Sequence, residues 1–157
     1  MCQAVPGNNA RSSSEASSAG SSSLVPPRIL MAEDNMINQR VGKLILLRAG
    51  FDIDLAADGL ETLEAHKKQP YDLILMDCQM PVMDGFEASR EIRSLLLPQP
   101  AIVAVTANAL VGERERCLNA GMDDYLSKPF QAEQLVAVVM KWINLRKNAT
   151  TNEAATA

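Results

Sequence analysis

A chain of 157 residues suits one folded unit, because a single core is the usual arrangement below roughly 200 residues. A formal charge of -4 with no basic stripe argues against direct nucleic-acid binding, since phosphate backbones are bound by clustered Lys and Arg. No apolar run approaches the roughly 20 residues of a membrane helix and the N-terminus lacks a signal pattern, so no membrane segment is expected in this chain.

Residues 1–27 are rich in Ser, Ala, Gly and Asn, with serine at eight of the twelve positions from Ser12 to Ser23. Such a composition buries too little apolar surface to offset its ordering entropy, so a disordered leader or interdomain linker is expected there. From Arg28 to Arg146, short apolar runs alternate with amphipathic stretches, the pattern of strand–helix units and a parallel sheet. Strands are predicted at 29–32, 52–56, 72–76, 102–105 and 124–126, and helices near 36–49, 59–68, 85–96, 109–120 and 131–145. Three of the strands are nearly continuous aliphatic, as strands covered on both faces should be. Asp58, Asp84 and Asn108 stand at N-cap positions, and Gly50 and Gly121 at left-handed C-caps. In the last helix Leu135, Val138, Val139 and Trp142 fall at i, i+3, i+4 and i+7, which gives one apolar stripe for a sheet. Residues 147–157 are again small and polar, and a flexible tail is expected. The expected fold is α/β, an open doubly wound five-stranded parallel sheet with five helices over residues 28–146.

Polar residues follow the strands at four places: Glu33 and Asp34, Asp77, Thr106 and Lys128. Ligands of open parallel sheets bind beyond the carboxyl ends of the strands, where the strand order reverses. In the flavodoxin-like order 2-1-3-4-5 that reversal lies between strands 1 and 3, which would make the acidic pair and Asp77 neighbours. Carboxylates so crowded repel by about 4 kcal/mol per pair at 4 Å and an effective dielectric near 20. A hard cation such as Mg²⁺ compensates, since it prefers oxygen ligands, and Lys128 supplies a second positive charge. A metal, an ammonium and a hydroxyl together meet what phosphoryl transfer demands, with Asp77 as the candidate nucleophile.

The segments ILMAEDNMI (29–37), DLILMDCQMPVMDGF (72–86), VAVTANA (103–109) and GMDDYLSKPF (121–130), in this order and spacing, resemble the receiver domain of two-component response regulators. The resemblance implies that Asp77 is phosphorylated and that Glu33, Asp34, Asp77 and the carbonyl of Gln79 hold Mg²⁺. It also implies that Thr106 and Lys128 contact the phosphoryl group, that Tyr125 turns with Thr106, that Gln79 and Asn108 tune the phosphoryl lifetime, and that Lys128–Pro129 is cis. Taken singly, each residue has a bland reading: a solvated loop cap for Glu33 and Asp34, a turn residue for Asp77, a surface charge for Lys128. Their coincidence favours function, while Tyr125 stays open between switch and core packing.

A phosphorelay receiver is therefore expected, taking its phosphoryl group from a histidine kinase or a histidine-phosphotransfer protein in the cytoplasm. The run Glu33-Asp34-Asn35 with Asn38-Gln39 and the MDCQMPVMDG segment look more like receivers of hybrid sensor kinases than a stand-alone regulator. The stretch after Arg146 is too short for a DNA-binding or enzymatic effector. A haloacid-dehalogenase-like phosphatase would place a second Asp where Gln79 stands, and an inactive interaction module would lack Asp77 or Lys128. His66 is expected to be solvated and Cys78 to be packed, with Cys2, Cys78 and Cys117 as free thiols of a reducing compartment.

Overall fold

The computed structural model describes residues 25–108 and 110–156. Of the expected leader, residues 1–24, including Cys2, lie outside the described residues, and 25–27 belong to no regular element. Among the described residues five strands and five helices alternate: β1 Ile29–Ala32, α1 Met36–Arg48, β2 Ile53–Ala56, α2 Gly59–Lys68, β3 Leu73–Asp77, α3 Gly85–Ser94, β4 Ala101–Thr106, α4 Val111–Asn119, β5 Asp124–Ser127 and α5 Ala132–Thr156. The strands form one parallel sheet in the order β2-β1-β3-β4-β5, the flavodoxin-like arrangement. Ile29 pairs with Ile53 on one side and Leu73 on the other, so β1 and β3 lie side by side at the reversal of strand order.

Alternation along the strands assigns the two layers, because successive side chains point to opposite faces. Leu30, Ile74, Met76 and Ile102 join Leu63, Phe86, Ile92 and Cys117 of α2, α3 and α4 in one core cluster. Ile29, Met31, Leu73, Leu75 and Val103 join Leu46 of α1 and Leu135, Val139 and Ile143 of α5 in the other. The three central strands are buried throughout, while edge strands β2 and β5 are only partly so. The predicted stripe of the last helix is seated as expected, with Val138 and Trp142 packed at its margin.

Several boundaries differ from the sequence reading. β3 and β4 each run one residue further, so Asp77 and Thr106 close their strands rather than follow them. Asp58 and Asp84 do cap α2 and α3, accepting the N–H groups of Glu61 and Glu87. Asn108 does not cap α4, which begins only at Val111 with Leu110 at the cap position. The Asn108 side chain accepts the Leu110 N–H at 3.3 Å instead, which holds the loop before the helix. α5 continues through the stretch expected as a tail, up to Thr156, because no Gly or Pro interrupts it after Arg146.

Candidate functional site

Four strand ends and the residues just beyond them bring the site together. Glu33 follows β1 and donates its N–H to the Ala56 carbonyl at 3.0 Å. Asp77 closes β3, Thr106 closes β4, and Lys128 follows β5 with its N–H on the Thr106 carbonyl at 2.7 Å. Lys128 Nζ bridges the two acidic strands, donating to Glu33 Oε2 at 2.8 Å and to Asp77 Oδ2 at 3.2 Å. The remaining carboxylate oxygens are held by backbone: Asn35 N–H on Glu33 Oε1 at 3.1 Å and Gln79 N–H on Asp77 Oδ1 at 3.0 Å. Asp34 is exposed at the mouth, and one oxygen each of Glu33, Asp34 and Asp77 lies within 4.8 Å of the others.

Burial and partners set the charges. Burial pushes the Asp77 carboxyl up; the Gln79 N–H and Lys128 offset only part of this and Glu33 adds to it, so Asp77 stands above its ordinary value. Burial also acts to raise Glu33, but Lys128 and the Asn35 N–H outweigh it and hold that carboxyl low. Lys128 is lowered by burial and raised more strongly by its two carboxylates, so it stays an ammonium. With Asp34 counted, three carboxyl groups face one ammonium. An all-oxygen, net-negative crevice of this kind fits a hard divalent cation of the Mg²⁺ type.

The loop from Cys78 to Asp84 holds Asp77 in place. Gly85 returns its N–H to the Cys78 carbonyl at 3.1 Å, and a Cβ at Gly85 would run into the Asp77 carbonyl oxygen, so only glycine fits there. Within the loop Met83 N–H bonds the Pro81 carbonyl at 2.7 Å around Val82, whose φ of 69° makes this the rarer, strained form of the γ-turn. The Lys128–Pro129 peptide is cis, as expected.

Thr106 faces the α4 side of the crevice. Its Oγ1 donates to the Asn108 carbonyl at 3.1 Å and accepts the Asn108 N–H at 3.0 Å, with Glu113 Oε1 at 3.5 Å. Tyr125 is 38% exposed with the Arg114 guanidinium 5.8 Å above its ring, so it is not a core residue here. Cys78 and Cys117 are buried with their sulfurs 4.0 Å apart, as the packing reading expects.

Sequence reasoning missed three features. Asn35 caps α1, its Oδ1 accepting from Ile37 at 2.8 Å and Asn38 at 3.1 Å, while its own N–H steadies Glu33. Asn before an amphipathic run was the available signal. Glu113 is buried, which no spacing reveals. His66 is fully buried rather than solvated: Nδ1 accepts the Tyr71 N–H at 3.1 Å, and Nε2 lies 3.2 Å from the Pro98 carbonyl, an acceptor that requires a proton on Nε2.

Comparison with known proteins gives consistent likenesses. The model of the response regulator receiver domain matches residues 29–140. Hybrid signal transduction histidine kinase B of Dictyostelium discoideum is 42% identical over 130 residues, which cover 74% of this chain and 7% of that protein, so the chain spans a small part of its relative's length. The receiver domain of sensor histidine kinase PA1611 from Pseudomonas aeruginosa PAO1, a crystal structure with a magnesium ion coordinated in its active site cleft, is 45% identical with a TM-score of 0.69, over 76% of this chain and 99% of that one. A chain of the Saccharomyces cerevisiae co-crystal of the histidine phosphotransfer protein Ypd1 with the receiver domain of its downstream response regulator Ssk1 matches at 31% identity and a TM-score of 0.69, over 76% of this chain and 91% of that one.

Proposed function

This chain belongs to the response regulator receiver domain family, and from that membership and the carboxylate crevice we propose that Asp77 accepts a phosphoryl group from a phosphohistidine in a phosphorelay. The observation that carries the reading is the buried Asp77 carboxylate, tied by Oδ2 to Lys128 and by Oδ1 to the Gln79 N–H, with Glu33 and Asp34 beside it. Glu33, Asp34, Asp77 and the Gln79 carbonyl would hold Mg²⁺, which when bound neutralises charge on the phosphoryl oxygens.

The chain's own residues do the rest. An Asp77 oxygen attacks phosphorus, the bond from phosphorus to the donor imidazole nitrogen breaks, and that nitrogen leaves with its electron pair. Lys128, already between Glu33 and Asp77, moves its ammonium onto a phosphoryl oxygen. Thr106 turns its hydroxyl from the Asn108 carbonyl toward the phosphate, and Tyr125, half-exposed against Arg114, has room to follow. A phosphate of about -1.5 to -2 charge near neutral pH supplies the pull.

The donor is a histidine-phosphotransfer protein or histidine kinase, and α1 supports it: Ile37, Val41 and Leu44, at i, i+4 and i+7, are exposed on the helix that starts beside Glu33. A parent hybrid sensor kinase is the favoured context. A cytoplasmic site of reaction is part of this reading, and the free thiols of Cys78 and Cys117 support it. Among the described residues no helix is long and apolar enough to cross a membrane.

The test is to incubate the chain with Mg²⁺ and acetyl phosphate and follow intact mass. An alkali-labile gain of one phosphoryl group, lost with chelator and in Asp77→Asn, is expected. Label persisting in Asp77→Asn would remove the assignment, and no gain in either protein would favour an inactive interaction module.

A further inference from the structure

Glu113 is a buried carboxylate that the mechanism above leaves without a task. It stands in the first turn of α4, where a carboxylate also favours the helix dipole, but that role is served equally well by an exposed group. Its side chain is only 8% exposed, and its two oxygens have separate partners. Arg116, which lies over the Phe86 ring at 4.4 Å, donates to Oε2 at 3.1 Å. Oε1 is left facing Thr106 Oγ1 at 3.5 Å. The single Thr106 hydroxyl proton goes to the Asn108 carbonyl at 3.1 Å, and the Glu113 carboxylate at 3.5 Å is a second, charged acceptor on the same side, so both keep the proton directed toward α4.

We propose that Glu113 is a positioning residue: it holds the Thr106 hydroxyl on the α4 side, so that the phosphoryl group must draw Thr106 away from it, and it thereby sets the balance between the resting and phosphorylated arrangements of the β4–α4 segment. This rests on the phosphoacceptor reading of Asp77. Glu113 acts through Thr106 and does not touch the reacting atoms.

The experiment is a titration of the full chain, in Mg²⁺, with beryllofluoride, a stable phosphoryl mimic, followed by the backbone amide resonances. The Asn108 amide is the reporter, because it donates to Thr106 Oγ1 at 3.0 Å. In Glu113→Gln, which keeps the shape and removes the charge, half-saturation is expected at a roughly two- to ten-fold lower beryllofluoride concentration, the worth of one hydrogen bond. The Asn108 amide of that variant should already be displaced toward its bound position before any is added. Glu113→Asp, which withdraws the charge by one methylene, shifts the same way and serves should the Gln variant not fold. In a Thr106→Ala background the Glu113 substitution should have no effect on half-saturation. A wild-type response matched unchanged by both Glu113 variants, or an effect that persists without Thr106, overturns the inference alone. A wild-type chain that never responds overturns the phosphoacceptor reading and the inference with it.

Discussion

Two charged clusters sit at opposite ends of the same sheet, and they differ in how completely their charges close. At the amino ends of β4 and β5, Arg93 donates Nε to the Gly121 carbonyl at 2.7 Å, Nη1 to Gln99 Oε1 at 3.0 Å and the Pro100 carbonyl at 2.8 Å, and Nη2 to Asp123 Oδ2 at 2.8 Å. Asp123 in turn accepts the Ile102 N–H at 2.8 Å. One cation meets one carboxylate there, and carbonyls take up the remaining donors. At the carboxyl ends, by contrast, Glu33, Asp34 and Asp77 face the single ammonium of Lys128. A closed cluster fixes loops to strands; an open one, on the proposed function, keeps negative charge in reserve for a cation and a phosphoryl group. Function sits where the charge is left unbalanced.

The largest effect should come from removing Lys128, the one cation bonded to the open crevice among the described residues. Lys128→Ala is expected to slow phosphoryl uptake by about 10²–10³-fold, the loss typical of one oriented charge at a transferring group. Quenched-time-course mass measurement reads it, and uptake within a factor of two of wild type would mean that the two clusters do not differ in kind. The closed end should give the opposite signature. Arg93→Ala should lower unfolding free energy by about 1–3 kcal/mol in urea, because a half-buried charged donor set is lost and the buried Pro100 carbonyl is left without its partner. Its folded fraction should still take up phosphoryl groups at the wild-type rate, and a large kinetic defect in a fully folded Arg93 variant would break the contrast.

How much of this was legible in the sequence follows the same division. Glu33, Asp34, Asp77, Thr106 and Lys128 could be picked out because each sits where an apolar run ends, and the sheet order then brings those ends together. The closed cluster was not legible, since Arg93 lies in the last turn of α3 and Gln99 and Asp123 on separate connections, with no shared pattern. His66 was misread as solvated because it stands beside Lys67 and Lys68, and charged neighbours suggest an outer face. Its burial depends on two backbone partners, one of them 32 positions away, that no local periodicity announces. Asn108 shows the complementary error: a good capping residue does not start a helix when its loop needs the side chain first.

The smallest expected effect is a pH dependence that arises at a residue outside both clusters. Burial lowers His66, the Pro98 carbonyl offsets part of this and the charge of Arg93 adds to it, so its folded pKa lies below the ordinary 6.5. The unfolded chain then binds a proton that the native state refuses, and stability falls as pH drops below about 6.5 by at most about 1.4 kcal/mol per pH unit. His66→Gln, which can still accept and donate, should flatten that slope between pH 6.5 and 5 in urea titrations. An unchanged slope would transfer the pH dependence to the carboxylates of the open cluster and blur the distinction between the two ends.

The central claim is that the unbalanced cluster exists to place a phosphoryl group on Asp77. The direct measurement is to supply Mg²⁺ and a phosphorylated histidine-phosphotransfer protein, reduce the product with borohydride, and map the modified residue by peptide mass. Borohydride converts an aspartyl phosphate to homoserine, so the account predicts homoserine at position 77 and nowhere else, dependent on both Mg²⁺ and donor. Homoserine at Asp34 or at another aspartate, or a phosphoryl group found on His66 with Asp77 intact, would contradict it.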